Sequence, residues 1–200
     1  MFLLEYTGGK LHIPTISSAK SVDLIKDAKK KGLQITCSVA AHHLVLTDDE
    51  LHGFDSNFKT NPPLRTKEDI KAMQKGVKTG VIDVITSDHN PIDIEHKKVE
   101  FSEAEDGVIG LESAFGAINS VLNLDDFIDC LTVKPKAIFG IKNHTIMEGS
   151  IADITLFNPT QKIIFTKKHI LSTSKNSAFI NKKLKGKVYG IFANNQLIIN

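Results

Sequence analysis

The sequence predicts an α/β fold built on a short parallel sheet and followed by a small all-β segment. Three observations predict it. Apolar, β-branched runs recur at residues 10–15, 33–39 and 82–87. Amphipathic stretches of helical spacing lie between them, which is the grammar of parallel strands joined by crossover helices. After Gly149 the texture changes to strand-like runs separated by turn residues.

Taken in order, MFLLEYT at the start has the look of the end of an interior helix, so the chain is expected to begin in mid-fold. KLHIPT (10–15) reads as a short strand. Ser17 and Ser18 can then cap a helix to about Lys31, with Val22, Ile25 and Ala28 on one face and Gly32 as its stop. Leu33 to Val39 is a second strand, alternating in part and rich in β-branched residues. Residues 40–65 form a loop too long to be an idle connection. Thr66 starts a helix to about Lys78, and Ile82 to Ser87 is the third strand. A second long loop, 88–109, leads to a helix over about Leu111–Leu122 and another over about Asp125–Val133, with Pro135 introducing KAIFGI. IADITLF, KIIFT and VYGIFANNQLII complete the chain as strands. The expected division is therefore 1–148 and 149–200.

Composition narrows the function classes. A net charge of +2 with both signs interspersed is too weak a bias to argue for nucleic acid or an anionic membrane. The basic stretches Lys29–Lys31 and Lys182–Lys187 read as solvated faces. Cys37 and Cys130 lie far apart and lack metal spacing, so free thiols in a reducing cytoplasm are expected. No stretch approaches the roughly 20 apolar residues of a membrane span, and the start lacks the basic region of a signal peptide. Nothing resembles a Gly-rich phosphate cradle.

In parallel α/β folds chemistry gathers at the carboxyl ends of strands. Thr15, His42-His43 and Asp88-His89 fall there. Alternation places Asp88 with Thr86 and Val84 on one side, and His89 on the other. A carboxylate so placed can bind a metal or take a proton from a metal-bound water, or it can cap the next loop through an Asx-turn; both readings stand. Adjacent residues of an extended strand face opposite ways, so His42 and His43 are read as one buried His satisfied by backbone rather than a metal pair. His12, His52, His96, His144 and His169 are scattered. Asn61 to Arg65 (NPPLR) offers an amide and a guanidinium for a carboxylate or amide substrate, or is a stiff connector.

Together, HIPTISSAKSVDLI, NPPLRTKEDIKAM, IDVITSDHNP, GVIGLESAFG, LTVKPKAIFGI and GSIADITLF resemble, in order and spacing, the C-terminal half of a dihydroorotase of the amidohydrolase superfamily. NPPLR and LTVKPKAIFGI point to dihydroorotase rather than to hydantoinases. The resemblance implies the C-terminal part of a (β/α)8 TIM barrel, about strands six to eight, followed by the β segment of a side domain. It implies interconversion of carbamoyl-aspartate and dihydroorotate in pyrimidine synthesis, using zinc. By the same resemblance Asp88 is the catalytic proton carrier and a metal ligand, while Asn61 and Gly107 bind substrate. Three departures accompany it. Thr15 occupies the place of an expected His ligand, and His12, three residues back, faces the other way. Ile92 stands where a substrate-touching His is common. The H-x-H pair, bridging group and remaining metal His of strands one to five have no counterpart. The chain is therefore expected to be inactive alone, with zinc binding doubtful, and to require completion or a partner. The alternative is a non-catalytic dihydroorotase-like structural partner, for example of aspartate transcarbamoylase. A homo-oligomer is also compatible.

Overall fold

A computed structural model describes residues 1–143 and 145–199, which leaves His144 outside it. The parallel sheet forms as the apolar runs require. Strands β1 (Lys10–Ile13), β2 (Gln34–Ala40) and β3 (Val84–Thr86) lie in that order, with Leu11 beside Ile35 and Ser38 beside Val84. Helix α1 (Phe2–Thr7) precedes them and turns only Leu4 inward. Helix α2 (Ala19–Lys30) links β1 to β2; the Ser18 hydroxyl accepts the Ser21 N–H, and Val22, Ile25 and Ala28 are its buried face. Gly32, at φ 80°, lets the chain turn back into β2. Helix α3 (Lys67–Lys78) is held by a capping box between Thr66 and Asp69. The other oxygen of Asp69 accepts the Ala19 N–H at 2.8 Å, which ties the first turns of α2 and α3 together. Cys37, Val39, Met73, Ile82, Phe127 and Cys130 meet in the core beneath the sheet. Burial, with Asp83 adding to it, pushes the Cys37 thiol up to about 12, the behaviour of a packing residue rather than a nucleophile.

The long loops are compact. Residues 40–65 make three short 3-10 turns, Ala41–Leu44, Asp48–Gly53 and Ser56–Phe58, and bury Leu44, Leu46 and Leu64. Helix α4 (Ile94–Lys97) interrupts the loop after β3. It buries Lys97, whose Nζ donates to the Glu105 carbonyl at 2.8 Å. The helix expected over 111–122 is shorter, α5 (Ala114–Asn119). Residues 111–113 are instead held as a turn by Gly110, where a Cβ would lie 2.1 Å from the Ser87 carbonyl oxygen, and by Glu112, which accepts hydrogen bonds from Leu171 and Ser172. Helices α6 (Leu124–Leu131) and α7 (Val133–Ile138) follow. Pro135 sits inside the first turn of α7, where a missing N–H costs nothing.

The second sheet is antiparallel, β4 (Ile154–Ile164), β5 (Lys183–Ala193) and β6 (Gln196–Ile199), in that order. ITLF and KII belong to one strand with an irregularity between Asn158 and Lys162. Asn194 and Asn195, at φ 51° and 59°, make the tight turn into β6. Helix α5 packs on both long strands of this sheet: Phe115 meets Phe157 of β4 edge-on at 4.8 Å, and Asn119 Nδ2 donates to the Pro159 carbonyl of β4 and the Lys185 carbonyl of β5. A second apolar cluster joins Phe165, Phe179 and Leu184 to Leu46, Leu64, Val108 and Ile109. The late segment thus covers the loops that follow β2 and β3. Phe165 and Phe179 are fully buried, each stabilising by about 2–3 kcal/mol. Among the described residues no helix is long and apolar enough to cross a membrane.

Candidate functional site

Two of the three parallel strands end in a non-glycine residue with left-handed backbone: Thr15, at φ 47°, after β1 and Asp88, at φ 48°, after β3. Asp tolerates that region because its short polar side chain bonds locally. A β-branched Thr does so at a cost of about 1–2 kcal/mol. The Ser38 side of β2 holds it there: the Thr15 N–H donates to Ser38 Oγ at 3.0 Å, and the Ile16 N–H to the Ser38 carbonyl at 2.9 Å. Strand alternation therefore stops at Ile13. His12 lies lower, 2.8 Å from Thr36 Oγ1 and edge-on to Phe139, with no path to the strand ends.

The histidine pair corrects the argument from strand alternation. His42 and His43 sit not on an extended strand but in the 3-10 turn Ala41–Leu44, and both rings are buried with their centroids 4.3 Å apart. The His43 Nε2–H donates to the Pro62 carbonyl at 3.0 Å, as expected of a His satisfied by backbone. His42 behaves differently, its Nε2 lying 3.8 Å from Asp88 Oδ2. Neither His42 Nε2 nor His43 Nδ1 has a hydrogen-bond partner. Burial, helped by His43, pushes His42 down to about 3, so the ring is neutral and its approach to Asp88 is not an ion pair. His43, itself held below its usual range mainly by burial, is the group that opposes the upward shift at Asp88.

Asp88 is half-buried, and burial raises its carboxyl above the usual carboxylate range, opposed by His43. A carboxyl whose proton affinity burial has raised is better suited to taking up and returning a proton. The histidines lie between Asp88 and the Asn61 loop: His42 approaches Asp88, and His43 is fastened to Pro62. Among the described residues no hydrogen bond joins Asp88 to Thr15, Asn61 or Gly107. Asn61 is exposed, at a cis peptide with Pro62. Arg65 reaches back, its Nε 3.4 Å from Ser17 Oγ.

Gly107 is buried at φ 139°, and a Cβ there would lie 2.7 Å from the Asn90 amide, so the close approach requires glycine. The fastener of this region is Asn176, which no sequence signal marked. Its Nδ2 donates to the carbonyls of Asn90 and Gly107, each at 3.1 Å, and its Oδ1 accepts the Ile92 N–H at 3.4 Å. The Ile92 carbonyl also accepts the Ser174 hydroxyl. His89 turns its Nδ1 to the backbone N–H groups of Gly110 and Leu111, at 3.2 and 3.3 Å, away from Asp88.

A catalytic zinc needs three protein ligands and an open position. Among the described residues no three His, Cys, Asp or Glu side chains come together closely enough to hold a metal ion. Thr15, at the end of β1, offers only a hydroxyl. The residues present do not by themselves fit a zinc centre; Asp88 is a single candidate ligand.

A profile of the amidohydrolase family matches residues 5–198. The dihydroorotase of Geotalea daltonii is 38% identical over 191 residues, covering 93% of this chain and 45% of that protein. The chain thus spans a little under half the length of the curated relatives it matches. The L-hydantoinase (dihydropyrimidinase) of Arthrobacter aurescens superposes with a TM-score of 0.88 at 22% identity, over 100% of this chain and 47% of that one. The inactive dihydroorotase-like domain of the Chaetomium thermophilum CAD-like multifunctional protein gives 0.66 at 20% identity, over 98% and 53%. The fold is therefore about half of that shared by amidohydrolase barrel proteins.

Proposed function

The chain belongs to the amidohydrolase family, and from that premise we propose that it is the C-terminal part, about strands six to eight, of a dihydroorotase-type barrel. Residues 1–148 are its last three βα units and 149–200 the β segment of a side domain. The observation that carries the reading is Asp88: a half-buried carboxyl at a strand end, raised by burial, on left-handed backbone.

Hydrolysis of a cyclic amide forms a C–O bond from water and breaks the ring C–N bond. One water proton must travel to the departing nitrogen. Asp88 accepts that proton and returns it, with Asn61 and the backbone at Gly107 binding the substrate, dihydroorotate or carbamoyl-aspartate. Zinc would polarise the amide carbonyl and acidify the water. Its ligand set is not complete in this chain, so water activation is not assigned to these residues. This role belongs to pyrimidine synthesis in the cytoplasm, and the chain acts on a small molecule rather than on nucleic acid or membrane.

A second reading is favoured by Thr15, which puts a poor zinc ligand where an imidazole is expected. In it the chain is a non-catalytic dihydroorotase-like partner, for example of aspartate transcarbamoylase, or assembles as a homo-oligomer.

The test is hydrolysis of dihydroorotate with added zinc. The isolated chain is expected to give no turnover, and turnover there would overturn the reading of it as incomplete. Fused behind the N-terminal half of the Geotalea daltonii dihydroorotase, it is expected to hydrolyse dihydroorotate and to lose that activity in Asp88→Ala. A fusion that folds and binds zinc without turnover would favour the second reading.

A further inference from the structure

His42 carries a hydrogen-bonding nitrogen sealed from solvent and without a partner. A buried polar atom left this way costs about 1–3 kcal/mol, so the fold is expected to supply a partner. Where β2 and β3 end, the polar side chain nearest that nitrogen across the two strands is Asp88. Its Oδ2 stands 3.8 Å from His42 Nε2. The gap is too long for an N–H···O bond, which spans about 2.7–3.2 Å. It is also too short for a bridging water, which needs roughly 4.5 Å between the groups it joins. Only direct contact resolves it. His42 cannot move far, because the 3-10 turn fixes its backbone and the ring of His43 packs 4.3 Å away. His43 in turn is fastened to the Pro62 carbonyl. Asp88 is the freer partner, its side chain 37% exposed against 2% for His42.

We propose that His42 is a positioning residue for Asp88, its Nε2–H donating to Asp88 Oδ2 and fixing the direction of the carboxylate. The assignment specifies a tautomer. The neutral imidazole carries its proton on Nε2, because a carboxylate can only accept. It also gives the carboxylate two unlike oxygens, Oδ2 held by His42 and Oδ1 left to act at the strand ends. A proton carrier has to be held within about 0.5 Å of its working position, and Asp88, on a loop end and in hydrogen-bond contact with none of Thr15, Asn61 or Gly107, has no other tether among the described residues. The functional consequence rests on Asp88 being the proton carrier; the hydrogen bond does not.

The experiment is imidazole NMR on the 200-residue chain with nitrogen-15 in its histidines, assigned with His42→Gln. The expected result is His42 in the Nε2–H form, with a downfield Nε2–H signal that exchanges slowly. In Asp88→Ala the signal should move upfield and exchange about tenfold faster, the effect of losing about 1.4 kcal/mol of protection. The His43 signals should stay in place. A proton on Nδ1 of His42 in the unsubstituted chain overturns the proposal, whether or not the variants fold. So does an Nε2–H signal indifferent to Asp88→Ala. Absence of turnover in the completed barrel would sink the catalytic reading while leaving these spectra unchanged.

Discussion

Lys29 Nζ lies 2.7 Å from Asp83 Oδ1, at the amino end of the parallel sheet and away from the strand ends that carry Thr15, His42 and Asp88. The same carboxylate accepts the Cys37 backbone N–H through Oδ2 at 2.9 Å, while Lys29 also donates to the carbonyls of Gly80 and Val81. One ion pair therefore joins α2, β2 and the entry to β3. Both side chains are half-buried, so removing Asp83 leaves the Lys29 charge with only the two carbonyls as partners and the Cys37 N–H with none from this carboxylate.

Asp83→Ala is expected to lower stability by about 2–3 kcal/mol, through the stranded Lys29 and the orphaned Cys37 N–H. Asp83→Asn keeps an acceptor for Cys37 and should fall between. Urea unfolding midpoints read both, and an unchanged midpoint for Asp83→Ala would show that the pair holds nothing together.

Asn176→Ala removes the clip across Asn90, Ile92 and Gly107. The expected loss is about 1–3 kcal/mol, because the buried Gly107 carbonyl and the part-buried Asn90 carbonyl lose a donor. Amide exchange should separate this from a general loosening. The Ile92 N–H is expected to exchange faster in proportion, while the N–H of Met73 within α3 follows only the global change. Equal acceleration at both would count against a local clip.

Acid should destabilise the fold through His42. Burial holds it at about 3 against an ordinary 6.5. The unfolded chain therefore takes up that proton first, and stability falls as pH drops from about 6.5 towards 3. His43, also lowered by burial, acts in the same direction. Asp88, raised by burial, acts in the opposite sense, because its native form holds a proton more readily than the unfolded chain does. His42→Gln should flatten the decline between pH 6.5 and 4. A decline as steep as that of the unsubstituted chain would assign the acid sensitivity elsewhere.

Much of the fold was legible. Val22, Ile25 and Ala28 at helical spacing, Ser18 before them and Gly32 after them defined α2 nearly to the residue, since local capping and one apolar face suffice. The β-branched runs gave the three parallel strands for the same reason. The helix expected over 111–122 was cut back because its first turn is claimed by two distant partners, Ser87 and Ser172, which no local pattern encodes.

The sequence by itself determined the order of elements and the position of Asp88 at a strand end, because periodicity and turn chemistry act over a few residues; the amidohydrolase family came from the resemblance of its motifs. Only the tertiary structure decided what surrounds Asp88. Alternation had set His42 and His43 on opposite sides of a strand. The 3-10 turn brings both rings inward instead, and the packing of β2 against β3 carries His42 to Asp88. Asn176, 84 residues beyond Ile92, closes the same region through side-chain bonds. Contacts of that range depend on how the sheet and its loops stack, and a one-dimensional pattern carries no record of them.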